Sequence, residues 1–273
     1  MILVVASNKD LASLNIKRQI LKNYNFKETA NMEDEPIYEA EINLRQVKLV
    51  TINSESIHAQ NLTHQFAEVD FAVFISRHSS ISGRPTLSVH TPGNLGNAQY
   101  GGIPREISIS PANAMRDALG RMMKIKEEKA LDYEISYEGT HHGPSLNVPT
   151  MFAELGSTAE QWKDEDAADV VAQAAMEAIS TFGSFPARTV LGIGGPHYNL
   201  KFTNLALENN TAFGHMIPKY AVSYADETML KKCIERTLEK VEAIILDWKG
   251  IKGEDKPRLI ENIEKIDLQT EKI

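Results

Sequence analysis

Short β-branched apolar runs that alternate with longer stretches of helical periodicity constrain this chain most. Ile2 to Val5 is one such run, and after Ser7-Asn8-Lys9-Asp10 the apolar residues Leu11, Leu14, Ile16, Ile20 and Leu21 recur at helical spacing. Val47 to Ile52, Phe71 to Ile75, Leu87 to His90, Tyr133 to Tyr137 and Pro149 to Leu155 read as further strands. Arg188 to Ile193, Thr211 to Met216 and Ala243 to Leu246 follow the same pattern. Between them, Pro111 to Glu128 predicts a helix with Ser110 as cap and Pro111 in its first position. Other helices are expected from a Ser157 cap to Thr181, over Asp226 to Lys240 and over Lys256 to Ile266. Alternation of this kind predicts one α/β domain over residues 1–273, with a mixed, largely parallel sheet flanked by helices.

A hydrophobic fraction of 42% over 273 residues is enough for an ordinary buried core. Runs such as Met1 to Ala6 are far below the ~20 residues a bilayer span needs, and no secretory leader is visible. The expectation is a soluble, cytoplasmic protein with no membrane partner, acting as a monomer. Cys233, the single cysteine, excludes an intrachain disulfide; its place in an amphipathic run predicts a buried structural thiol. The net charge of -8 is unevenly spread: residues 71–126 carry +5 and residues 154–177 carry -6. A polyanion could therefore meet the first region while the rest of the surface stays acidic.

Five of the eight histidines fall in short, turn-rich segments. These are Ser76-Arg77-His78-Ser79-Ser80, Ser88 to Asn94 around His90, Thr140-His141-His142-Gly143-Pro144-Ser145, and Gly192 to Tyr198 around His197. Loops on a rigid scaffold concentrate function, and imidazole serves both as metal ligand and as proton carrier near neutral pH. Ligands of such folds gather beyond the carboxyl ends of strands, where these loops are expected. His141 and His142 could not both face one ligand in regular extended structure, so the chain must leave the strand at this pair or only one of them serves.

A zinc ion with three protein ligands drawn from His78, His90, His141, His142 and His197 and an open position would generate hydroxide near neutral pH, with Glu154 as ligand or base. No serine among Ser79, Ser80, Ser82 and Ser145 sits in GxSxG, which removes the usual hydrolase serine turn. The glycines before His197 form neither GxGxxG nor a P-loop, leaving only a backbone-lined pocket. His58, His64 and His215 are expected to be structural.

Four ordered motifs, SRHSS, PTLSVHTPGN, THHGPSL and GIGGPHY, together with the opening MILVVAS, resemble the archaeal-type D-aminoacyl-tRNA deacylases, which also occur in plants. The resemblance runs through most of the chain. It implies a zinc-dependent hydrolase, with one or two zinc ions per chain, that frees tRNA of mischarged D-amino acids. It also implies an α/β fold similar to peptidyl-tRNA hydrolases and nucleoside phosphorylases. On the matching positions, His78, His90, His141 and His142 are the expected metal ligands, and His142, His197, Arg77 and Glu154 the expected catalytic groups. Arg84, Gly143, Pro144, Gly194 and Gly195 would contact substrate, with Arg77, Arg84 or the Gly194-Gly195 amides steadying an oxyanion and the Gly-Pro turns walling off the L side chain. Arg116, Arg121 and Lys124 would follow the phosphates of the acceptor end of aminoacyl-tRNA. The alternatives are a metal-dependent hydrolase or phosphorylase of a small nucleoside or acyl compound, and a non-catalytic tRNA-binding module.

Overall fold

The computed structural model describes residues 1–184 and 187–273. β1 (Ile2–Ser7) leads into α1 (Leu11–Asn23), and the Asp10 carboxylate caps that helix by accepting from Ser13 N at 3.0 Å. The chain continues through β2 (Lys27–Met32), β3 (Glu35–Ile42), β4 (Arg45–Ile52), β5 (Phe71–Arg77) and β6 (Thr86–His90). Next come α2 (Ala112–Glu128), β7 (Glu134–Tyr137), β8 (Thr150–Gly156) and α3 (Glu165–Thr181). The last third holds β9 (Arg188–Gly194), α4 (Leu200–Glu208), β10 (Thr211–Ile217), α5 (Glu227–Glu235), β11 (Ala243–Asp247), α6 (Lys256–Ile263) and β12 (Gln269–Lys272).

The mixed, largely parallel α/β architecture is as expected, with its strands divided between two sheets. One has eight strands in the order β2-β3-β4-β1-β5-β8-β6-β7, and the other has four in the order β10-β9-β11-β12. β1 pairs in parallel with both β4 and β5, β5 with β8, and β6 with β7; β6 runs antiparallel to β8. The smaller sheet is parallel throughout.

The two faces of the larger sheet are covered differently. Val4, Val73, Leu87 and Ala153 pack with Ile16 of α1, Met115 and Leu119 of α2 and Val171 of α3. Leu3, Val5, Phe74 and Phe152 on the other face meet Leu62 and Leu146, which lie in connecting segments rather than long helices. Burial on both faces is why Phe71 to Ile75 reads as an unbroken apolar run. The smaller sheet packs Leu191, Ile193, Ile244 and Leu246 against Leu230 of α5 and Leu259 of α6.

Two helix caps differ from expectation. At the start of α2, Ala112 N and Asn113 N donate to the Glu239 carboxylate at 3.0 and 2.9 Å, while the Ser110 hydroxyl accepts from Thr91. A carboxylate from a distant loop suits the positive end of a helix, and only the fold brings it there. α3 begins at an Asp164 cap, and Ser157 instead donates to the Arg84 carbonyl. α5 and α6 end at Glu235 and Ile263, earlier than the periodicity predicts. The polar, mostly exposed edge strand β2 with its partner β3, the short α4 and the terminal β12 carry too little apolar pattern to be foreseen. Among the described residues, no helix is long and apolar enough to cross a membrane. Cys233 is buried, and burial pushes its thiol up to about 12.

Candidate functional site

The helix-free face of the larger sheet turns polar at its β5-β8-β6-β7 end. Strand register sets Ser76 opposite Glu154, Glu154 opposite Ser88, and Ser88 opposite Ser136, so these four residues form one row across four strands. The adjacent row contains Phe74, Phe152 and His90. Opposed residues share a face and side chains alternate along each strand, so two steps on from Ser76 and Ser136 stand His78 and Glu138. Their amides donate to Leu155 O at 2.9 Å and Val89 O at 3.1 Å, which keeps both residues tied to the sheet just past the strand ends. The histidine loops follow the carboxyl ends of β5, β6, β7 and β9, as expected, and converge on this sheet face.

Two buried carboxylates organise this surface. Glu138 Oε1 accepts from the Ser88 hydroxyl and lies 3.2 Å from His78 Nδ1, while its Oε2 is 2.9 Å from His197 Nε2. Glu154 Oε1 accepts from Ser76 Oγ at 2.5 Å, and Oε2 lies 3.6 Å from His78 Nδ1. The far nitrogen of His78 meets the Tyr198 hydroxyl at 2.8 Å, and His197 Nδ1 meets that of Tyr220 at 3.0 Å. Burial opposes charge on these groups, but attraction outweighs it. Glu138 is held well below the usual carboxylate range by His78 and His197, Glu154 falls to about 2 beside His78 and His90, and His78 rises to about 10 between the two carboxylates.

His141 and His142 stay neutral. His141 Nδ1 donates to Gly139 O at 2.9 Å and His142 Nδ1 to Gly143 O at 2.7 Å, which leaves each Nε2 with a free lone pair. Burial, then neighbouring imidazoles, holds His141 well below its ordinary pKa; burial and His90 push His142 down to about 4. The chain leaves extended structure at this pair, as strand geometry required: His142 has φ 43°, and the two ring centroids are 4.2 Å apart. His90 is fully buried and neither of its ring nitrogens has a hydrogen-bond partner among the described residues. Its centroid lies 4.3 Å from that of His141 and 4.9 Å from that of His142, and Phe152 underlies both His90 and His142.

Three groups have ligand atoms within 4.8 Å of one another: His90-His141-His142, Glu138-His141-His197, and His78-Glu138-Glu154. The first suits a metal best. A ligating histidine characteristically donates its other N–H to a carbonyl, as His141 and His142 do, and a bound cation would satisfy one of the two unpartnered nitrogens of His90. Three of the four expected histidine ligands thus meet; His78 sits with the carboxylates.

His142, His197 and Glu154 line one cleft of about 480 Å³, together with Glu138 and Tyr198, neither of which was singled out from the sequence. Glu134, Ser136 and Glu138 do alternate with Ile135 and Tyr137, a two-residue polar period that marks a polar sheet face. Arg77 also lines the cleft, but its guanidinium already donates to Glu55 at 3.0 Å and to Lys9 O at 2.9 Å. The remaining expected contacts lie elsewhere. Arg84 pairs with Glu134 at 2.7 Å. Gly195 N donates to Gly250 O, and neither Gly194 nor Gly195 lines the cleft. Gly143 is a backbone crossing, where a Cβ would stand 2.2 Å from Gly102 N, and Pro144 is buried beside it, so neither walls the cleft.

Arg116, Arg121 and Lys124 share a groove in the helical layer, across the sheet from the histidines. Asp117 and Glu177 line it too; Arg116 pairs with Asp117, Arg121 donates to Gln173, and Lys124 lies 4.0 Å from Glu128. Within this groove the basic charge is thus partly offset. His215 is structural as expected, accepting from Thr140 Oγ1 at 3.1 Å and donating to Arg236 O at 3.2 Å. His58 and His64 lie in short 3-10 turns.

A second cleft, of about 430 Å³, meets the first at Tyr100, His141 and His142. Comparison with known proteins agrees with the motif resemblance. Residues 65–271 match the family model described as D-aminoacyl-tRNA deacylase. The chain is 40% identical to the D-aminoacyl-tRNA deacylase of Thermococcus onnurineus, over 97% of each chain. It is 35% identical to that of Methanosarcina mazei, over 98% of this chain and 91% of that one. A crystal structure described as a conserved protein of unknown function superposes with a TM-score of 0.88 at 30% identity, covering 100% of this chain and 95% of the other.

Proposed function

The chain belongs to the D-aminoacyl-tRNA deacylase family, and from that premise we propose that the cluster around His141 is where it cleaves its substrate. The enzyme hydrolyses the ester bond of D-aminoacyl-tRNA, releasing the D-amino acid and tRNA. Such hydrolysis needs an activated water, stabilisation of the oxyanion and a proton for the departing ribose oxygen. The observation that carries the reading is the convergence of three neutral or unpartnered histidines, His90, His141 and His142, next to the hydrogen-bonded pair Glu138 and His197.

His90, His141 and His142 would hold zinc through their ring nitrogens. Bound by three imidazoles with a position left open, zinc lowers the pKa of water toward 7 and so supplies a nucleophile near neutral pH. A second ion would draw on Glu138 and His197, which share His141 with the first group. Glu138 takes up the proton of the attacking water, and His197, held between Glu138 and Tyr220, delivers one to the ribose oxygen. Glu154, bonded by Ser76 and paired with His78, fixes the charge of the cleft floor and attracts the α-ammonium of the aminoacyl group.

Matched D- and L-aminoacyl-tRNAs of one amino acid test the reading. Rapid release of the D-amino acid with the L-ester largely intact is expected; equal turnover of both would overturn it.

A further inference from the structure

The second cleft holds two tyrosines, Tyr100 and Tyr224, that ester hydrolysis leaves without a role, beside Tyr220, which holds His197. Tyr100, Tyr220 and Tyr224 border it and are 67%, 53% and 41% exposed, unusual for rings of that size. They are held in place. Gly143 N donates to Tyr100 O at 2.9 Å, which pins the Tyr100 loop to the turn after His142. The Tyr224 ring packs on Gly96, where a Cβ would stand 2.7–2.8 Å from three ring carbons, yet the residue keeps 41% of its surface exposed.

The two clefts differ in charge. The first is lined by the acids Asp10, Glu55, Glu138 and Glu154 against Arg77 and His78; the second has no acidic residue among those lining it and offers Asn97 and Gln99 beside the tyrosines. An ester cleaved at their junction carries a cationic amino group on one side and a nucleoside with its phosphodiester on the other. Carboxylates attract the first and repel the second. Exposed aromatic faces in a site without acidic groups suit unpaired bases, since every base has a π-face.

We propose that this second cleft seats the unpaired 3′-terminal nucleotides of tRNA, with bases stacked on Tyr100 and Tyr224. The proposal rests on the deacylase reading for its ligand but is measured without catalysis. The probe is the uncharged trinucleotide CCA, titrated against the wild-type protein and against Tyr100→Ala, Tyr224→Ala, the double variant and the matching Phe variants, each checked by thermal melting. Wild-type protein binds the probe; each Ala variant weakens binding on the order of ten-fold, and the Phe variants, which keep the ring, retain it. Absence of binding to wild-type protein, unchanged affinity in the folded double Ala variant, or Phe variants as weak as Ala, would each overturn the proposal. Failure of wild-type enzyme to deacylate D-aminoacyl-tRNA would count against the deacylase reading and leave the trinucleotide measurement standing.

Discussion

Glu138 Oε2 stands 2.9 Å from His197 Nε2, while the same carboxylate reaches His78 through its other oxygen at 3.2 Å. One buried acid thus orients two imidazoles, His78 and His197, from loops far apart in the chain, and its removal should be felt in chemistry more than in binding. Glu138→Gln keeps the shape but loses the charge and the base. Its kcat on D-aminoacyl-tRNA should fall on the order of 10²–10⁴-fold, the range of general acid-base catalysis, with KM little changed. A kcat within about three-fold of wild type, on the scale of that principle, would remove Glu138 from the chemistry.

Metal dependence should follow the His90-His141-His142 group. Chelator-treated enzyme should lose D-aminoacyl-tRNA hydrolysis and regain it with zinc, and His142→Ala should lower both activity and zinc content. Elemental analysis alongside the rate decides the matter: full activity in demonstrably metal-free protein rules the zinc reading out.

His215 gives a pH dependence of stability. Burial lowers its pKa from 6.5 to about 4 in the folded chain, so between these values the unfolded state binds more protons. Stability therefore declines as pH falls from 6.5 to 4, by roughly 3 kcal/mol in total for this group. Urea midpoints of zinc-free wild type and His215→Leu, compared at pH 7 and 4.5, should show the smaller acid-induced drop in the variant. Equal drops would show that His215 does not contribute.

The α2 groove provides a charge test. Arg121 and Lys124 sit there with Asp117 and Glu177 and away from the histidines. Reversing both to glutamate should alter tRNA affinity less than about two-fold and leave its salt dependence intact, since each lost phosphate contact would reduce the salt slope by about one. A shallower slope would restore these residues to the phosphate path.

The scaffold was the more legible half of this molecule. Periodicity is local, so β1, α1 and the buried run of β5 could be read from neighbouring residues alone. The histidine loops were visible for the same reason, and the need for a break at His141-His142 is met by the positive φ of His142. Cross-strand rows are not local. Glu138 acquires its importance only when β7 lies beside β6, and Arg77 loses its freedom only when Glu55 arrives from another loop. Charge counted along the chain could not show that Arg121 meets Gln173 of α3 or that Glu177 shares the groove, since both act through space. The Ser110 and Ser157 caps failed similarly, the first displaced by Glu239 from beyond β10.

Two clefts joined at His141 and His142 also bear on what happens after the bond breaks. With the ester cleaved at that junction as proposed, the amino acid would be left toward the carboxylates and the tRNA end toward the tyrosines, one product in each arm. The order of release would then be set by how tightly each arm grips and not by who stands in the doorway.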